Sequence, residues 1–448
     1  MLIIHWLELL NSWLWSGPLL LLLFGTGLYL TIILKGFQFR YLGYAFRAAI
    51  AKQQTQAKGD ISHFEALMTS LAGAIGTGSI VGVATAVAVG GLGAIFWMWV
   101  TALLGMATKY AESLLAVKYR HMDARGEMIG GPMQYIENGL GWKKFAILFA
   151  VLGVIATFGT GNMVQVNAIV EGVGHVWNIN PLWTGLVVLV FTGLVVIGGI
   201  RSIGHVAAVL VPLMATFYII AALIVIGAHI EHIPAALQHI VSSAFTGQAA
   251  IGAFTGSTVV LALQLGISNS IFSNESGLGI STIAAAAAKT DSPARQGMIT
   301  MTGALISTMI VCTMTGLVLS VTEVLGATTL EGQMLNGASM AITAFKKTIT
   351  GGEYVVAIGL ILFAYTTIIA WAYYGEKCFE YLFGEKWIYF YRIIYILVIL
   401  PGAILDLETV WLVANVANAL MVIPNLIAVL GLSKVVVSET NKLIEETK

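Results

Sequence analysis

Charge is what this sequence has least of. Only 10% of its residues are charged and 58% are hydrophobic, a balance that excludes an ordinary soluble protein. The 22 basic residues equal the 22 acidic ones, so there is no electrostatic case for a nucleic-acid partner. Cysteine occurs twice, at Cys312 and Cys378. The two lie far apart in apolar segments and read as packing residues rather than a disulfide. No ATP-binding P-loop occurs, so no ATPase domain lies in this sequence. No serine–base or paired-acid constellation stands at catalytic spacing, and the chain does not read as an enzyme. The first apolar run lacks a clean small-residue cleavage site and reads as a helix that stays. The apolar runs are too long and too uniform for an outer-membrane barrel, whose strands alternate.

What is present is a series of uncharged stretches, at 9–34, 66–108, 145–170, 172–200, 202–230, 296–322, 354–375 and 409–433. A membrane span needs roughly 20 apolar residues. The pattern predicts an all-α polytopic membrane protein with about eleven transmembrane helices. They fall near 13–35, 66–88, 93–117, 145–174, 182–200, 203–229, 252–289, 296–322, 354–380, 387–404 and 408–431. With the N-terminus outside, every Lys and Arg except Lys109, Lys346 and Lys347 falls on the inner side, as the positive-inside rule requires. The C-terminus is then cytoplasmic and the outer surface meets membrane lipids.

Setting the first helix aside leaves ten, in two sets of five. The first helix of one set contains AGAIGTGS at 72–79, and the first of the other contains GISNSIFSNESGLG at 266–279. Two apolar helices interrupted at corresponding positions are the sequence pointer to a transporter site between inverted repeats. The chain divides accordingly. An extra helix and basic loop occupy 1–60, a first repeat 61–230, a second repeat 250–432 and a tail 433–448. An unwound turn frees N–H groups that hold a carboxylate and carbonyls that hold an ammonium or Na⁺. An amino-acid zwitterion suits such a site. Glu275 stands inside the second break, where an ionisable residue is a functional hypothesis by default. It reads as a cap for freed N–H groups or as a proton site. Lys109 and Glu112 are three apart on one helical face and read as a pair.

The stretches GTGSIVGVATAVAVGGLGAIFWMWVTALLGMATKYAE at 76–112, GGPMQYIENGLG at 130–141, GNMVQVNA at 161–168, FSNESGLG at 272–279 and FAYTTIIAWAYYGEK at 363–377 together resemble the alanine/glycine:cation symporter family, also called sodium:alanine symporters. The resemblance implies the leucine-transporter fold and Na⁺-coupled uptake of small neutral amino acids, chiefly alanine and glycine. It implies that Gly76, Thr77, Gly78 and Ser79 form the unwound turn, with N–H groups of Thr77 and Gly78 on the substrate carboxylate. The carbonyls of Ala72 and Ile75 would face Na⁺, completed by the hydroxyls of Thr366 and Thr367. Phe272 would close over the substrate beside Ser273, and Gln165 would contact it. The chain departs from the family pattern at Ser79, usually Asn, and at Asn269, commonly Arg; substrate preference or coupling ion would follow those changes. The alternatives are a proton-coupled transporter using Glu275, and a channel or amino-acid-binding membrane protein without coupled transport.

Overall fold

The computed structural model describes residues 2–51, 57–246, 259–328, 332, 334–405 and 408–446. Among these the chain is helical almost throughout, and one short ribbon pairs His121–Met122 with Met128–Ile129. Leu2–Ser16 and Pro18–Ile33 form the leading helices. Pro18 opens the second of them, at a position where no intrahelical N–H bond is needed.

Two successions of five follow. The first runs from the broken pair His63–Ala74 and Val81–Gly90 through Gly93–Lys118, Lys143–Trp177 and Pro181–Val196 to Gly199–Ala228. The second runs from the broken pair Val259–Asn274 and Thr282–Ala286 through Pro293–Val321, Gly352–Phe383 and Glu385–Ile404 to Glu408–Gly431. Among the described residues, seven helices are long and apolar enough to cross a membrane. The remaining expected spans are the two broken helices, the short Pro181–Val196, and Gly93–Lys118, whose interior carries Lys109 and Glu112. The part of the seventh expected helix before Val259, at 252–258, lies outside the described residues, as does the expected start of the second repeat at 250.

The helices sort into two packed groups. Gly93–Lys118 lies against Val81–Gly90, against both parts of the second broken helix and against the helix starting at Pro293, while His63–Ala74 lies against Gly199–Ala228 and Gly352–Phe383. Gly352–Phe383 lies against Lys143–Trp177, and Pro181–Val196 lies against the helix ending at Ile404. Small residues set the close approaches in the first group. A Cβ on Gly266 would fall 2.5 Å from the Ala94 carbonyl oxygen, and one on Gly297 would fall 2.8 Å from that of Tyr110.

Candidate functional site

The first half-helix begins with a reciprocal capping box between Ser62 and Glu65. It stops because Ile75 (φ −84°, ψ 73°) and Gly76 (φ −108°, ψ −158°) leave helical conformation. One tight turn, Thr77–Ser79, follows before the helix resumes at Val81. The break anticipated at 72–79 is therefore real.

The second break follows Asn274. Glu275 adopts a left-handed conformation (φ 57°), which is uncommon away from glycine. A backbone unwound at this depth needs hydrogen-bond partners from its neighbours, and side chains supply them. Asn274 Oδ1 accepts from the Ser276 N–H at 2.9 Å, and Glu112 Oε1 accepts from the Gly277 N–H at 3.0 Å. Asn425 Nδ2 donates to Glu112 Oε1 at 2.6 Å and to the Gly277 carbonyl at 2.8 Å. Tyr135 donates in turn to Asn425 Oδ1. Lys109 Nζ donates to the Asn274 carbonyl at 3.0 Å and to Ser281 Oγ, gripping both ends of the break. Two expectations change here. Lys109 and Glu112 attract each other without a direct hydrogen bond; the hydrogen bonds of each go to the unwound segment. Glu275 caps no backbone N–H of the break: its carboxylate oxygens are buried, and the side chains nearest them are Ser281, Trp371 and Lys109. Its left-handed backbone turns the side chain to the cavity, so capping falls to Glu112 and Asn274.

Between the breaks lies a cavity of about 410 Å³. Of the residues expected at the site, Gly76, Thr77, Gly78, Gln165, Phe272, Glu275 and Thr367 line it. Gln165 Oε1 accepts from the Thr77 N–H at 3.4 Å, and Gln165 Nε2 donates to the Thr160 carbonyl at 3.0 Å. Ser79 and Ser273 lie behind the wall. The Ser79 carbonyl accepts from the Thr315 hydroxyl at 2.8 Å, and Ser273 Oγ hydrogen-bonds with Thr308 Oγ1 at 2.8 Å. Both serines thus face Pro293–Val321 rather than the cavity.

The Thr367 hydroxyl lies 3.0 Å from the Ala72 carbonyl oxygen and 2.9 Å from that of Phe363, so its one proton is shared between them. Thr366 donates to the same Phe363 carbonyl at 3.0 Å. The Thr367 hydroxyl therefore bridges the end of the first half-helix and Gly352–Phe383, while Thr366 bonds within its own helix. Sequence reasoning missed the Phe363 carbonyl as the partner of both hydroxyls because any residue type supplies a carbonyl. It also missed the cavity-lining Thr160, Trp411 and Asn415, which single out no motif. Trp371 lines the cavity and donates Nε1 to the Gly73 carbonyl at 3.4 Å.

Among the described residues, one trio has metal-ligand spacing: Asp123, Glu380 and Glu385. These acids are already engaged. Arg125 pairs with Asp123 and Glu380, and Glu385 accepts the Ala124 N–H.

The model of the sodium:alanine symporter family matches residues 1–448. The chain belongs to the sodium:alanine symporter family. It is a multi-pass membrane transporter and not an enzyme. The chain is 49% identical to the sodium/alanine symporter AgcS of Methanococcus maripaludis, over 98% of this chain and 96% of that one. It is 36% identical to the probable sodium/glutamine symporter GlnT of Bacillus subtilis, over 96% and 89% of the two chains. Among solved structures it resembles the Eremococcus coleocola manganese transporter, with a TM-score of 0.52 at 12% identity over 86% of this chain and 83% of that one. At that identity the likeness concerns the fold alone.

Proposed function

We propose that this transporter is a Na⁺-driven symporter that imports small neutral amino acids, alanine or glycine foremost, by alternating access. The observation that carries the reading is the Thr367 hydroxyl at 3.0 Å from the Ala72 carbonyl, with the Thr366 hydroxyl beside it on the same helix. Hydroxyl and carbonyl oxygens are hard ligands suited to a small cation. They come from two helices that pack together, His63–Ala74 and Gly352–Phe383, so a Na⁺ ion there, with Ile75 as a further carbonyl, would fix the end of the first half-helix against Gly352–Phe383. The names of the two relatives, one for alanine and one for glutamine, both specify sodium.

The amino acid follows the ion. Its carboxylate takes the N–H groups of Thr77 and Gly78, with Gln165 swinging from Thr77 to the ligand, and Phe272 covers it. The group containing both breaks rocks against the group containing Gly352–Phe383. Substrate and Na⁺ leave on the cytoplasmic side, where Na⁺ is scarce. The N-terminus is outside and the C-terminus inside, with residues 61–230 and 250–432 as the two repeats. Exposed side chains such as Leu21, Ile32 and Leu194 face lipid.

The test is uptake of labelled alanine into proteoliposomes. Accumulation against its gradient with inward Na⁺ is the expected result. Equal accumulation with a proton gradient alone, or mere equilibration, overturns the reading.

A further inference from the structure

The cavity holds one feature that the ion and carboxylate sites do not use. Glu275 is 1% exposed and lines the cavity, and neither of its oxygens has a close hydrogen-bond partner, with Ser281, Trp371 and Lys109 the polar groups nearest it. A buried carboxylate without a partner is unfavourable and calls for a compensating cation. The neighbouring ammonium, Lys109, donates to the Asn274 carbonyl and to Ser281 Oγ and makes no hydrogen bond to Glu275. Glu112 is committed to Gly277 and Asn425. Two carboxyl groups and one ammonium are thus buried together, and the Glu275 carboxyl alone of the three faces the cavity.

The position of the carboxylate selects the kind of cation. A Cβ on Gly73 would lie 3.2 Å from Glu275 Oε1, so the carboxylate sits beside the end of half-helix His63–Ala74. Glu275 itself follows the end of half-helix Val259–Asn274. Helix C-termini carry partial negative charge, and both reinforce the carboxylate. The side chains around it, Trp371, Ser281 and Lys109, are donors or already engaged. An ammonium group needs only acceptors on one side, and the free carboxylate provides two.

We infer that Glu275 binds the α-ammonium of the transported amino acid, with the carboxylate of that molecule held at Thr77 and Gly78 in the same cavity. The inference rests on the amino-acid reading above. It makes Glu275 a specificity residue: a free, charged α-amine is required, and an α-hydroxy acid of the same size is refused. Lactate would satisfy the N–H groups and leave the buried carboxylate unpaired.

The experiment measures thermal stabilisation of the purified full-length protein by L-alanine and by L-lactate at saturating Na⁺. Wild type, Glu275→Gln and Glu275→Asp are compared. Wild type is expected to prefer alanine by at least about tenfold, the scale of a charge-assisted hydrogen bond. In Glu275→Gln the half-saturating alanine rises by about tenfold while lactate changes by less than about twofold, so the preference collapses. Glu275→Asp keeps part of it. Alanine affinity unchanged in Glu275→Gln, or equal weakening of both ligands, overturns the inference. Wild type that is not stabilised by alanine at all would instead sink the amino-acid reading.

Discussion

A methyl group on Gly76 would lie 2.6 Å from the Thr367 hydroxyl oxygen and 3.3 Å from Gln165 Oε1. The backbone of Gly76 (φ −108°) is open to any residue. Gly76→Ala therefore strains no dihedral and intrudes only on the meeting point of the break, the ion ligands and the pocket glutamine. Expected is loss of Na⁺-dependent alanine uptake with a melting temperature within a few degrees of wild type. Uptake at the wild-type rate would mean that Thr367 and Gln165 have room the geometry denies them.

Gln165 and the pair Ser79 and Ser273 separate the wall of the cavity from what lies behind it. Gln165→Ala removes the acceptor of the Thr77 N–H and is expected to raise the half-saturating alanine concentration about tenfold. Ser273→Ala loses only its bonds towards Thr308 and Cys312. It is expected to leave that concentration within about twofold and to lower stability by about 1 kcal/mol. Concentration-dependent uptake of the two variants checks the contrast.

Asn425 joins Glu112, the Gly277 carbonyl and Tyr135. Asn425→Ala strands two buried polar groups, the Gly277 carbonyl and the Tyr135 hydroxyl, each worth about 1–3 kcal/mol when left unpaired, and takes one of two donors from Glu112. The expected outcome is a lower melting temperature together with weaker alanine binding, since the second break loses the side chain that shapes it. A normal melting temperature would show that the break holds its form without Asn425.

The breaks were readable because glycine and small polar residues do not belong in the middle of an apolar helix. Runs such as GTGS at 76–79 and SNESGLG at 273–279 stand out against their surroundings. The helices were readable from length and hydrophobicity. What stayed hidden was direction. Ser79 lies beside Gly78 in sequence, yet the tight turn points it at the opposite helix, and Ser273 shares that side. A helical face likewise brings Lys109 and Glu112 close enough to pair, but the unwound segment offers each a backbone group that must be satisfied in the apolar interior. Glu275 caps no backbone N–H of the break because its left-handed backbone turns it towards the cavity. These outcomes depend on which groups the break frees, and spacing along the chain does not encode that.

The measurement closest to the centre of the account is the Na⁺ dependence of alanine uptake in Thr367→Ala. The Thr367 hydroxyl touches both the Ala72 and the Phe363 carbonyls, so its removal deletes the oxygen that joins His63–Ala74 and Gly352–Phe383 at the proposed ion site. The half-saturating Na⁺ concentration is expected to rise by about tenfold, with the order of preference among amino acids unchanged. An unchanged half-saturating Na⁺ concentration would contradict the assignment of the ion to this junction.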